Sequence, residues 1–256
     1  MAKLWAFGDS FTFGSGVVCK DPDHFDIYWY GNTYINHAFH SILGEKYNLQ
    51  VHNKGTEGDS NAGIADAILT NLANIKSGDV VIIGQTVSDR EPVIGEYFDG
   101  NPWPYTLNHH FCTTPIEELD YYLSDKMKLL WKDACDYWFN VITETIHIRE
   151  QWHKRIFLKW ANYFRSIDVK CLIWDHTLWG LYENLETWSK EGGDKYRVTD
   201  GHWSPNGHIG AAFALDYILQ NTDIVYLNKE VIEQFNLVKE YKSKEDYVPY
   251  ALPNLI

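Results

Sequence analysis

The chain has 256 residues and a net charge of −13, from 35 acidic against 22 basic side chains. That balance disfavours nucleic acid or an anionic membrane surface as the main partner, because both attract basic faces. A hydrophobic content of 45% with 22% charged residues is that of a globular protein large enough to bury a substantial core, which sets disordered and fibrous classes aside.

The first predicted element is a strand. Leu4-Trp5-Ala6-Phe7 is a continuous apolar run, as expected of a strand buried on both faces in a parallel sheet. Gly8-Asp9-Ser10 follows it, and Gly8 and Gly14 suit a sharp turn with close approach of other groups. Ser10 is thereby placed beyond the carboxyl end of the first strand, where open α/β sheets bind their ligands. A serine there is a candidate nucleophile if a base reaches it; the plain alternative is a capped turn.

A helix is expected over residues 32–47, with Ile35, Ala38, Phe39 and Ile42 at helical spacing, then a short strand at 50–53. The glycine-containing loop Lys54-Gly55-Thr56-Glu57-Gly58-Asp59-Ser60 leads into a helix carrying Ile64, Ile68, Leu72 and Ile75, for which Ser60 or Asp59 is the cap. Val80-Val81-Ile82-Ile83-Gly84 is a β-branched buried strand. The alternation of strand and helix predicts a doubly wound α/β fold.

From 92 to about 115 glycine, proline and aromatic residues predict a long loop, and residues 117–165 read as helical in two or three pieces. Together, 92–165 form an expected, mostly helical insertion. Residues 169–174 are the next strand, with Cys171 packing as a small hydrophobe. The cysteines show neither a disulfide framework nor zinc-ligand spacing, and no metal or other cofactor is expected. Asp200-Gly201-His202-Trp203-Ser204-Pro205-Asn206-Gly207-His208 precedes a helix that starts at Pro205. His202 then sits at a helix entrance, where the dipole favours the neutral imidazole that a general base requires. Asp200 is close enough to orient the ring, although the pair equally suits a simple turn. Residues 221–256 are expected to extend a domain spanning 1–220, packing on it or on a second copy of the chain. No run is apolar enough to span a membrane. No signal-peptide pattern is seen, so the chain is expected to be cytoplasmic as synthesised, with a released or particle-associated form left open.

An early Ser and a late Asp-x-His make a Ser–His–Asp order. On these residues the chain resembles the SGNH hydrolases, the GDSL-type esterase and lipase superfamily. The resemblance implies a flavodoxin-like parallel sheet flanked by helices, with Ser10 as nucleophile, His202 as base and Asp200 as its orienting acid. It implies Gly58, in Asn53-Lys54-Gly55-Thr56-Glu57-Gly58-Asp59-Ser60, as a backbone oxyanion donor. In the third block, Gly84-Gln85-Thr86, a threonine stands where the family carries asparagine, and Gln85 or Arg90 is a candidate substitute. Asp9 and Thr86 complete the expected oxyanion and substrate-binding set. The implied activity is hydrolysis of a small ester, with an acyl group on a glycan preferred on account of the 16% aromatic content. Two other readings stand beside it: a non-catalytic binding or structural protein with a degraded oxyanion site, and a metal-dependent hydrolase using Asp9, Asp175, His176, Asp200, His202 or His208.

Overall fold

The computed structural model describes residues 1–14, 38–96, 102–107, 112–113, 125–180, 203 and 205–237. Its centre is a five-stranded, all-parallel sheet made of β1 (Lys3–Gly8), β2 (Gln50–Gly55), β3 (Val80–Gln85), β6 (Lys170–Asp175) and β7 (Tyr226–Leu227). The spatial order is β2-β1-β3-β6-β7. This is the flavodoxin-like order, and the fold expected from the sequence is the one observed. The chain winds to one side from β1 to β2 and then to the other from β3 onward. The crevice between the carboxyl ends of β1 and β3 is therefore the topological switch point of the sheet.

Strand alternation divides the core into two layers. Leu4, Ala6, Val80, Ile82, Leu172 and Trp174 point to one face and pack with Phe39, Ile42 and Leu43 of α2 (Phe39–Tyr47) and with Ile209, Ala212 and Leu215 of α6 (Pro205–Asn221). Trp5, Phe7, Val81, Ile83, Cys171 and Ile173 point to the other face. They meet Ile64 and Ile68 of α3 (Asn61–Asn71) and Phe157, Ala161 and Phe164 of α5 (Ile146–Ser166). The buried stripe of α5 runs His153, Phe157, Ala161, Phe164, a helical spacing. Leu158 and Trp160 are only partly buried at its margin.

The expected long helical stretch divides as anticipated, into α4 (Asp125–Tyr137), a π-helical turn at Trp138–Ile142, and α5. Because α5 packs on β6 and β3, the later part of the expected insertion is a core crossover helix. The stretch read as a long loop contains a hairpin instead: β4 (Glu91–Glu96) pairs antiparallel with β5 (Pro102–Leu107). Pro92, Pro102 and Pro104 hid it, because prolines argue against a strand inside a sheet. In a two-stranded ribbon both strands are edges, and an edge tolerates residues that lack an N–H. The stretch expected as a C-terminal extension supplies β7, the fifth strand, and α7 (Lys229–Gln234), capped by the Asn228 side chain on the Val231 N–H.

Two buried carboxylates lock the frame away from the candidate site. Asp79, 4% exposed, accepts from the Lys3 and Lys76 N–H groups and from Trp5 Nε1, joining the amino ends of β1 and β3. Asp216 on α6 binds the Lys46 ammonium of α2 at 2.5 Å, with side-chain exposures of only 8% and 3%. It also accepts from Tyr47 Oη and Gln220 Nε2. Removing one partner of such a pair leaves a buried charge without its counterion. Asp216→Ala is therefore expected to lower unfolding free energy in urea by about 3–5 kcal/mol, and a double change to Lys46→Met with Asp216→Leu to recover most of that loss.

His40 on α2 is buried and packs edge-on against Phe39. Burial lowers its pKa from 6.5 to about 4, a hydrogen bond with the Thr12 backbone opposing the shift only in part. Between those values the unfolded chain holds the extra proton, so this histidine stabilises the fold above the unfolded value and the stability is lost as pH falls toward 4. Urea midpoints measured from pH 7.5 down to 4.5 should fall, and His40→Gln should show a shallower fall over that window than the wild-type chain.

Candidate functional site

The site is built on the turn that follows β1. Asp9 has extended backbone angles and caps α1 (Ser10–Phe13), its Oδ1 accepting from the Phe11 N–H at 3.2 Å. One helical turn later Gly14, at φ 100°, closes the segment by donating to the Ser10 carbonyl at 3.0 Å. This single turn lies directly on the strand ends. A Cβ on Gly55 of β2 would stand 2.4 Å from the Phe13 backbone nitrogen. One on Gly84 of β3 would stand 2.7 Å from Thr12 Oγ1 and 2.6 Å from the Trp174 ring. Only glycine at these two strand ends lets the turn carrying Ser10 sit over the switch point. Ser10 itself is 6% exposed.

Asp9 is 1% exposed, and its other carboxylate oxygen gathers donors from the segment after β3. Thr86 Oγ1 donates to Oδ2 at 3.0 Å, and Arg90 Nη1 donates to the same oxygen at 3.2 Å. Thr86 is fully buried, and Asn61 of α3 grips its backbone from both sides. The Asn61 Oδ1 accepts from the Thr86 N–H at 3.0 Å, and its Nδ2 donates to the Thr86 carbonyl at 2.9 Å. That clamp assigns the amide orientation of Asn61. The same Nδ2 faces His153 Nδ1 at 3.2 Å, and Ser88 Oγ lies 2.9 Å from that nitrogen. His153 Nδ1 is thus an acceptor, and the ring is the Nε2–H tautomer. Burial, assisted by the nearby Arg149 charge, lowers its pKa to about 4 and keeps it neutral. Arg149 Nε donates to the Ser88 carbonyl at 2.9 Å and Trp138 Nε1 to the Asp89 carbonyl at 2.7 Å, so α5 and the π turn hold residues 86–90 in place.

The loop after β2 forms the third wall. The Thr56 N–H continues the ladder by donating to the Gly8 carbonyl at 3.0 Å. Gly58 lies at the exposed tip with φ 71°, in the left-handed region, and a Cβ there would meet nothing within 4 Å. The Asp59 N–H returns to the Thr56 carbonyl at 3.3 Å, and Ser60 caps α3 by accepting from the Gly63 N–H at 3.1 Å. Burial raises the pKa of Asp59 to about 6, with Asp9 and Asp66 pushing the same way and the Ser60 N–H and Arg90 opposing.

Of the residues singled out in the sequence, Asp9, Ser10 and Thr86 are gathered at the switch point, and Gly58 lies on the adjoining loop. His202 and Asp200 lie outside the described residues. Trp203, which follows His202, is described: it is 1% exposed and meets Phe11 edge-on, with ring centroids 5.0 Å apart and planes at 77°. It also contacts Trp174 and His208, each at 5.5 Å. His208 is fully buried on α6, and its Nδ1 accepts from the Phe39 N–H at 3.3 Å. Asp175, at the end of β6, accepts from the Thr177 N–H at 3.0 Å. Gln85, named as a substitute donor, accepts from Tyr226 Oη at 2.9 Å through its Oε1. Among the described residues no group of three or more histidine, cysteine or acidic side chains is placed to hold a metal ion. Sequence reasoning did not find Asn61, Ser88, His153 or Arg149, which carry no motif; their roles arise from contacts between distant segments.

No family model matches the chain, and no curated protein matches it. Solved structures similar to it include a carbohydrate esterase whose active site displays divergent catalytic and non-catalytic binding functions, at 15% identity and a TM-score of 0.41, covering 88% of this chain and 70% of that one. Another is a member of the lipolytic protein G-D-S-L family from Veillonella parvula DSM 2008, at 11% identity and a TM-score of 0.35, covering 88% of this chain and all (100%) of that one. A third, from Desulfitobacterium hafniense DCB-2 and also described as lipolytic and of the G-D-S-L family, has 14% identity and a TM-score of 0.33, covering 83% of this chain and 99% of that one. The chain is similar to these proteins, and with each of these TM-scores below 0.5 the similarity carries nothing about its activity.

Proposed function

We propose that the chain is a serine ester hydrolase acting through Ser10, His202 and Asp200. The observation that carries the reading is the contact of Trp203 with Phe11. The residue after the expected base packs on the residue after the expected nucleophile, which supports a reading in which two blocks remote in sequence act together. The position of Ser10 at the switch point supports the same reading, because that crevice is where α/β sheets bind ligands.

In this reading Ser10 Oγ attacks the ester carbonyl while His202 takes its proton. Asp200 holds the imidazole in the required tautomer and stabilises the imidazolium. Backbone N–H groups of Ser10 and Gly58 stabilise the oxyanion. His202 then protonates the departing alcohol, and water, activated by the same base, releases the acyl group from Ser10. Thr86 has a different part from the asparagine usual at its position. Its hydroxyl has one proton, and that proton is donated to Asp9, so Thr86 acts through Asp9. Loss of one side-chain oxyanion donor costs about 100–1000-fold in rate, so slow turnover of unactivated esters is expected. A short acyl group on a carbohydrate is the preferred substrate.

A second reading, a non-catalytic binding protein on the same fold, is favoured by that same commitment of the Thr86 proton. A serine-directed fluorophosphonate separates the two. The esterase reading expects labelling that maps to Ser10, with hydrolysis of p-nitrophenyl acetate lost in Ser10→Ala and reduced by about 1000-fold or more in His202→Ala. Unlabelled Ser10, together with retained binding of an acylated glycan, would establish the binding protein instead.

A further inference from the structure

The esterase reading requires two backbone donors on different loops, Ser10 on α1 and Gly58 after β2, to converge on one oxygen atom. Such groups must be held to within about 0.5 Å to act together. The Gly58 loop is exposed at its tip and adopts a left-handed angle there, so its shape depends on how its two ends are held. Its first end is fixed by the Thr56 N–H on the Gly8 carbonyl. Its second end carries the Asp59 carbonyl, which accepts from Arg90 Nη1 at 3.0 Å. The same Nη1 donates to Asp9 Oδ2 at 3.2 Å.

The geometry points to Arg90 as the positioning residue of the site, a guanidinium that bridges the Asp9 carboxylate beside the nucleophile to the Asp59 carbonyl beside the expected oxyanion glycine. One cation thus joins the ends of both donor-bearing loops. Several features suit it to this task. Its side chain is only 16% exposed and Asp9 is 1% exposed, so the ion pair is little screened by solvent. Both bonds leave Nη1, whose two N–H groups are fixed in the guanidinium plane and so set the angle between the acceptors, whereas the three N–H groups of an ammonium rotate freely. The segment bearing Arg90 is itself rigid, clamped through the Ser88 and Asp89 carbonyls by Arg149 and Trp138. The chain that lacks the usual third-block asparagine therefore carries, four residues later, a cation that braces the remaining donors.

This inference rests on the esterase reading for its catalytic meaning, whereas the tether itself is open to test without turnover. Arg90→Lys keeps the charge and loses the fixed plane; Arg90→Ala loses both. In each folded variant, hydrogen exchange of residues 54–60 is expected to quicken by about tenfold or more while β1 and β3 are unchanged. The kcat for p-nitrophenyl acetate should fall by up to about 100-fold with KM nearly constant, and added guanidinium should restore part of it in Arg90→Ala but none in Ser10→Ala. If Arg90→Ala does not fold, Arg90→Lys decides. Exchange of residues 54–60 equal to wild type in a folded variant overturns the tether. A wild-type chain that fluorophosphonate leaves unlabelled overturns the esterase reading, and the exchange result still decides what Arg90 holds.

Discussion

A carboxylate withdrawn from water must be compensated where it lies. Asp9 is such a group, and donors from three segments converge on it among the described residues: the Phe11 N–H from its own turn, the Thr86 hydroxyl just after β3, and the Arg90 guanidinium beyond it. Desolvating a carboxylate costs several kcal/mol, and hydrogen bonds to charged groups return about 1.5–3 kcal/mol each, so Asp9 depends on all of them together. The turn carrying Ser10, the clamped segment after β3 and, through Arg90, the Gly58 loop are consequently one electrostatic unit.

That unit exists because the strand ends permit it. Glycine stands at or next to the ends of β1, β2 and β3, at Gly8, Gly55 and Gly84, and α1 rests there, its backbone against Gly55 and its Thr12 side chain against Gly8 and Gly84. The crossing of the chain at β1 and β3 opens the crevice, and the short helical turn fills its floor. At the opposite end of the same strands Asp79 plays a matching part, drawing β1 and β3 together through the Lys3 and Lys76 amides and the Trp5 indole. The two acids pin the strand pair at both ends, one for the frame and one for the site.

Aromatic packing links the turn after β1 to Trp203 and α6. Phe11, Trp203, Trp174 and His208 form a continuous buried group beneath the rim, and His208 is spent there as an acceptor for the Phe39 amide. The neutral His153 serves the frame, its Nδ1 facing Asn61 Nδ2 and Ser88 Oγ beneath the segment that presents Thr86 to Asp9.

Much of the frame was legible locally. Apolar runs bounded by glycine marked the buried strands, three-to-four residue spacing marked the helices, and Ser60 and Pro205 marked helix starts, because each signal depends on near neighbours alone. The hairpin at Glu91–Glu96 and Pro102–Leu107 was not legible, since its prolines speak against strands until its pairing as an isolated ribbon is known. The two-residue β7 was too short to leave a period. By itself the sequence determined the alternation of elements, the serine after the first strand and the threonine in place of asparagine. Only the tertiary structure decided that this threonine faces Asp9 across 77 residues of chain and that Arg90 reaches both Asp9 and the Asp59 carbonyl. The physical reason is that residue type sets what a group can donate or accept, whereas sheet order and register set which distant partner comes within 3 Å of it.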